Sequence, residues 1–156
     1  MPPMTAPPRN SMAGALVVAV VDDDPAVCGS LKFSLELEGF VVRAYGNAGE
    51  LLAADEPACD CLVVDQRMPG MSGMDLIMRL RDFEVPTPAI LLISEPNPAI
   101  AARAAKAAVP IVEKPLFGNA LLEQIREACG LGRSGAPTGA ESPSRMVWRL
   151  SRMEAM

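Results

Sequence analysis

Five short apolar runs alternate along the chain with five segments whose apolar residues recur at helical spacing. The first run, Leu16–Val21, is continuously apolar and rich in valine. That is the pattern of a strand covered on both faces, because a strand with one wet face would alternate apolar and polar positions. Phe40–Tyr45 predicts a second strand, Cys61–Val64 a third that ends at Asp65, Ala89–Ile93 a fourth that ends at Ser94, and Ile111-Val112 a short fifth. Ala26–Glu38 reads as a helix, with Val27, Leu31, Leu35 and Leu37 near helical spacing. Ala48–Ala54, Met74–Phe83 (Leu76, Ile77 and Leu80 inward), the alanine-rich Ala99–Ala108 and Leu116–Cys129 complete the helices. Local signals mark several boundaries. Asp24-Pro25 offers an N-cap and a first-turn proline, Asn47 a second cap, and Gly39 and Gly130 follow helices that they stop.

Strand–helix alternation of this kind predicts an α/β fold: a doubly wound, five-stranded parallel sheet with helices on both faces. In such open sheets, sites form beyond the carboxyl ends of the strands. Strand one runs into Asp22-Asp23-Asp24, strand three into Asp65, strand four into Ser94, and strand five into Glu113-Lys114-Pro115. Polar groups from four strand ends therefore converge on one edge. Residues 14–130 are expected to form the domain and residues 1–13, rich in proline and small residues, a disordered lead. Residues 131–156 read as a flexible linker and tail, since Gly, Pro and Ser dominate as far as Arg145. In the last stretch Met146, Val147, Leu150 and Met153 fall at approximate helical spacing between Arg145, Arg149 and Arg152. That pattern fits a short amphipathic partner helix, a membrane-surface segment or a disordered tail.

Composition narrows the chemistry. Half of the 156 residues are hydrophobic, ample for one core without disulfide or metal staples. A net charge of −5 leaves no broad basic field for nucleic acid. Cys28, Cys59, Cys61 and Cys129 form no C-x-x-C pair, and the chain has no histidine to complete a mixed zinc site. Free, buried or partly buried thiols in a reducing compartment are expected. The missing histidine also removes Ser-His-Asp and Cys-His catalysis and any role as a phosphohistidine donor. Leu16–Val21 is too short to span a membrane, and the start lacks the charged region of a secretory signal, so a cytoplasmic protein is expected.

Clustered carboxylates repel one another and call for protonation or a cation. An oxygen-rich site of one or two carboxylates suits Mg²⁺, which keeps several of its waters. A carboxylate is also a competent nucleophile toward phosphorus, while a lysine and a hydroxyl can take phosphoryl oxygens. Asp22, Asp23, Asp65, Ser94 and Lys114 on one edge thus make a complete set for accepting a phosphoryl group.

The runs VVDDDPAV, VVDQRMPGMSGMDL, LLIS and VEKP resemble the receiver domain of two-component response regulators, over roughly Leu16 to Cys129. The branch whose acceptor loop reads D-x-R-M-P-x-M-S-G is the most similar. This resemblance implies a flavodoxin-like strand order 2-1-3-4-5 and assigns roles. Asp65 would be the phosphoacceptor. Asp23 would bind Mg²⁺ directly, Asp22 mainly through metal-bound water, and the backbone carbonyl of Arg67 would be a further protein ligand beside Asp65. Ser94 takes the place of the switch hydroxyl, Lys114 would pair with phosphoryl oxygens, and Lys114-Pro115 resembles the family's cis peptide. The implied partners are a sensor histidine kinase or phosphotransfer protein and a downstream protein, with a homodimer left open. The 26 residues after Gly130 are too few for a helix-turn-helix domain, so a stand-alone, non-enzymatic receiver without direct DNA binding is expected.

Three positions depart from the family pattern. Ile111 stands where an aromatic switch residue is usual, Glu95 follows the switch hydroxyl where a small residue is usual, and Ala107-Ala108 replaces the glycine before strand five. Two rival readings follow. One is a receiver-fold interaction module that works without phosphorylation. The other is a phosphatase of the haloacid-dehalogenase type, whose D-x-D start Asp22-Asp23-Asp24 also fits. The second lacks a late acidic pair and a cap domain, and leaves the Asp65 loop unexplained.

Overall fold

The computed structural model describes residues 15–54, 59–83, 87–116 and 118–130. The expected lead at 1–13 and the linker and tail at 131–156 lie outside them. Five strands, β1 (Val17–Val21), β2 (Val41–Tyr45), β3 (Cys61–Asp65), β4 (Ala89–Ile93) and β5 (Ile111–Glu113), alternate with five helices. The helices are α1 (Pro25–Leu37), α2 (Ala48–Ala53), α3 (Gly73–Asp82), α4 (Pro98–Lys106) and α5 (Ala120–Ala128). All strand pairs are parallel, in the order β2-β1-β3-β4-β5. The expected fold class and strand order are both present.

β1, β3 and β4 are buried along their whole length, which explains their unbroken apolar sequence. Successive side chains point to opposite faces, so these strands feed two separate cores. Val17, Ala19, Val21, Leu62, Val64 and Leu91 pack with residues of α2, α3 and α4. Leu16, Val18, Val20, Cys61, Val63, Ile90 and Leu92 pack with Leu31 and Leu35 of α1 and with Leu121 and Ile125 of α5. The register then aligns the carboxyl edge. Val21 pairs with Val64, Asp65 with Leu92, and Ile93 with Glu113, so Asp22, Asp65, Ser94 and Lys114 leave the sheet on the same side.

Leu37, near helical spacing in the sequence, is 71% exposed, because it lies about 200° around the helix from Leu35. One expectation is corrected. The last helix begins at Ala120 rather than Leu116, since Gly118 has φ +71, which a right-handed helix cannot accommodate. The caps fall as predicted: Asp24 accepts from the Ala26 amide at 2.9 Å, and Asn47 from the Glu50 amide at 2.9 Å. Ala108, at the departure noted before β5, sits at φ +57.

Candidate functional site

Asp22 follows β1 directly, and its amide donates to the Tyr45 carbonyl at 3.1 Å, extending the β1–β2 ladder past the strand. Its carboxylate is thereby held at the edge, 1% exposed. Asp65, the last residue of β3, is 4% exposed, while Asp23 faces solvent. One oxygen from each of these three carboxylates lies within 4.8 Å of the other two. Lys114 enters from beyond β5, anchored by its amide, which donates to the Ile93 carbonyl at 2.7 Å. Its ammonium stands 2.8 Å from Asp22 Oδ2 and 3.2 Å from Asp65 Oδ1. The Lys114–Pro115 peptide is cis.

Both oxygens of Asp22 are engaged, because Oδ1 also accepts from the Asp24 amide at 3.0 Å. Asp24 itself is occupied as the cap of α1. Of the acidic triplet, Asp23 is the carboxylate most open to a cation. Burial pushes the Asp65 carboxyl above the ordinary aspartate value, as does the neighbouring Asp22 charge, against the pull of Lys114. For Lys114, burial works to lower its affinity for the proton. The hydrogen bonds to Asp22 and Asp65 outweigh it, so the ammonium is held above the usual lysine value. Three carboxylates against one ammonium leave an excess of negative charge at an all-oxygen cluster. That donor set fits a hard divalent cation such as Mg²⁺, with Asp22, Asp23 and Asp65 as the residues to hold it.

The loop after Asp65 is fastened from both ends. The Gln66 amide donates to the Leu92 carbonyl at 2.9 Å, the Gly73 amide to the Gln66 carbonyl at 3.1 Å, and the Met74 amide to Gln66 Oε1 at 2.9 Å. Gly70 takes φ +78 at the turn after Pro69. Gly73 is required for a different reason. A Cβ there would lie 2.5 Å from the Asp65 carbonyl oxygen, so α3 can start this close to the acceptor only without a side chain.

Arg67 and Ser94 line the wall of an open cavity of about 360 Å³ together with Gln66, the residue after Asp65. Glu95 lies on the same wall and is exposed. Asn97 caps α4, accepting from the Ala99 and Ile100 amides at 3.0 and 3.1 Å, which leaves Ser94 free of that duty. Ile111 is half-buried and packs against the core beneath α2, α3 and α4. Sequence reasoning missed Gln66, whose side-chain role has no sequence signal. It also passed over Asn97, although an Asn-Pro pair ahead of a helix is a readable cap. Cys28 adjoins the site as well, its thiol donating to the Asp22 carbonyl at 3.3 Å. Burial and the Asp22 charge push that thiol up, so it stays neutral.

Fold and site together define an α/β signalling domain with an acidic, lysine-bridged pocket at the carboxyl edge of a 2-1-3-4-5 sheet. The sequence profile of the response regulator receiver domain matches residues 18–126. The chain belongs to that family of two-component response regulator domains. It is 37% identical over 113 residues to the transcriptional regulatory protein FixJ of Rhizobium meliloti, a match covering 71% of this chain and 55% of FixJ. It is 35% identical over 138 residues to the response regulator protein TodT of Pseudomonas putida, covering 85% of this chain and 61% of TodT. The chain thus spans little more than half the length of these relatives. Among solved structures it is similar to FixJ-N, with a TM-score of 0.66 and 33% identity over 74% of this chain and 94% of that one. The response regulator StyR aligns with a TM-score of 0.69 and 29% identity over 90% of this chain and 66% of StyR. Among the described residues no helix is long and apolar enough to cross a membrane.

Proposed function

We propose that Asp65 accepts a phosphoryl group from a sensor histidine kinase or a phosphotransfer protein, in a reaction that requires Mg²⁺. The observation that carries this reading is the contact set itself: Asp22, Asp23 and Asp65 within 4.8 Å, with Lys114 bridging Asp22 and Asp65. In the transfer, an Asp65 carboxylate oxygen bonds to phosphorus. The phosphorus–nitrogen bond of the donor phosphohistidine breaks, and the imidazole leaves with the electron pair. Lys114, already beside Asp65 Oδ1, pairs with a phosphoryl oxygen, and Ser94 donates its hydroxyl to another. Asp22 would orient Lys114 and help to hold the cation, together with Asp23, Asp65 and the backbone carbonyl of Arg67. Bound Mg²⁺ supplies the positive charge that offsets the carboxylates and the transferring group.

The unit acts as a signalling acceptor rather than a turnover enzyme, in the cytoplasm. Its output passes through contacts with a downstream protein, with homodimers as one form of that contact and without direct DNA binding. The net charge of −5 supports the last point. The phosphoacceptor reading concerns residues 15–130 and holds whether or not further domains accompany them; the absence of DNA binding is proposed for these residues alone.

Incubation with acetyl phosphate and Mg²⁺ tests it. Intact-mass analysis should show one added phosphoryl group on the wild-type chain and none on Asp65→Asn or after chelation. A folded chain that stays unlabelled would overturn it. A second reading, an interaction module independent of phosphate, is favoured by Glu95 on the cavity wall beside Ser94. Labelling of Glu95→Ala together with an inert wild-type chain would support that reading.

A further inference from the structure

α1 carries an apolar stripe that its own fold does not use. Phe33 is 67% exposed and Leu37 is 71% exposed. At 100° per residue they lie about 40° apart, on the side of the helix opposite Leu31 and Leu35. Ala26 and Ser30 are exposed on the same side. Ala26, Ser30, Phe33 and Leu37 follow the i, i+4, i+7, i+11 repeat of a seam that receives another helix.

We propose that the segment Met146–Met153 of this same chain docks on the Ser30–Phe33–Leu37 stripe of α1. Three observations single out this occupant. The first is position. Arg126 of α5 bonds Glu38 at 2.8 Å, so α5 ends beside the end of α1, next to Leu37. From there residues 131–145 form a connection of 15 residues rich in Gly, Pro and Ser. A flexible linker of that length has a root-mean-square reach of roughly 20 Å. The stripe from Ser30 to Leu37 is only about 10 Å long. Such a tether gives a local concentration on the order of millimolar, so a contact too weak to form between separate molecules is well populated.

The second observation is charge. Residues 15–130 hold 9 basic and 17 acidic residues, a net −8, whereas residues 145–153 hold three arginines and no acid. Glu36 and Glu38 flank the stripe, the first paired with Lys32 and the second with Arg126, so the attraction comes from the net charge of the domain rather than from a free carboxylate. The third is spacing. Met146, Leu150 and Met153 recur at i, i+4 and i+7, the complement of the seam on α1. With the tail seated, the apolar face of α1 becomes available to other helices only when the tail leaves.

The test uses the full chain and a tail variant, Leu150→Asp with Met153→Asp, which changes no residue of the folded domain. The Leu37 methyl and Phe33 ring resonances should differ between the two proteins. Cross-peaks from Leu37 methyls to methionine methyls of the segment should be present in the wild type and lost in the variant. Conversely, Phe33→Ser with Leu37→Ser should speed tryptic cleavage after Arg149 several-fold while leaving cooperative unfolding intact. Identical α1 resonances in wild type and tail variant overturn the proposal. So do cross-peaks found only between differently labelled chains in a mixed sample, which assign the contact to a second copy. So does protection of Arg149 that requires added phosphatidylglycerol vesicles, which assigns the segment to a membrane surface.

Discussion

Gly73 and Gly29 both lie in helices, yet alanine should act on them with opposite sign. At Gly73 an added Cβ would sit 2.5 Å from the Asp65 carbonyl oxygen and 2.9 Å from both Leu91 Cδ1 and Val64 Cγ1. Ordinary carbon–oxygen contacts of this kind are about 3.3 Å or longer, so the Asp65 carbonyl must yield by roughly 0.8 Å. The two methyls can turn away, but that carbonyl belongs to the backbone between β3 and a loop pinned by Leu92 and Gln66. Overpacking of this kind costs about 1–3 kcal/mol, and a backbone obstacle places it in the upper half. Helix propensity returns at most about 1 kcal/mol. Gly73→Ala should therefore lose about 2 kcal/mol. With a urea slope of about 1–2 kcal/mol/M, the unfolding midpoint falls by roughly 1 M or more. At Gly29 nothing lies within 4 Å of the added methyl, and the site is exposed in the middle of α1. There alanine should add about 0.5–1 kcal/mol and raise the midpoint. Paired urea titrations followed by circular dichroism decide it. A Gly73→Ala midpoint equal to or above wild type would refute the argument that α3 starts against the acceptor's own backbone.

Other expectations follow from single contacts. Ala108, at φ +57 just after α4, should accept glycine with a gain of about 0.5–1 kcal/mol, because relief of left-handed strain exceeds the added unfolded-state freedom; thermal unfolding measures it. Asp60→Ala removes the acceptor for the Val17 amide, a buried bond of 2.7 Å at the start of β1. Leaving that amide unpaired should cost about 1–3 kcal/mol, seen as a lower urea midpoint. Mg²⁺ at about a hundred times its dissociation constant should add about 2.7 kcal/mol to the wild-type chain. Asp23→Asn should lose most of that gain in thermal midpoints taken with Mg²⁺ and with chelator.

Most of the architecture could be read from the residues because the two faces of the sheet are both covered. That burial forces unbroken valine and leucine runs at β1, β3 and β4, a signal few other environments produce. The cluster of Asp22, Asp23, Asp65 and Lys114 was equally readable, since each residue lies within two positions of the end of an apolar run. Periodicity alone does not separate Leu35, in the core, from Leu37 two positions on, which faces the other way. The start of α5 was misread because Gly118 interrupts a segment that otherwise looks helical. Gln66 and the close approach at Gly73 depend on how a loop folds back on a strand, and no local pattern encodes that.

The two cores that share β1, β3 and β4 have a consequence for how this chain can change over generations. The sheet works as a partition wall, with Leu31, Leu35, Leu121 and Ile125 on one side and Leu51, Met74, Ile77 and Leu80 on the other. Substitutions that repack one side meet few neighbours on the other, so their effects should combine nearly additively. Each side can therefore drift toward its own partners at its own pace. The residues beyond the carboxyl edge, where both sides meet, are the ones that must answer to both histories at once.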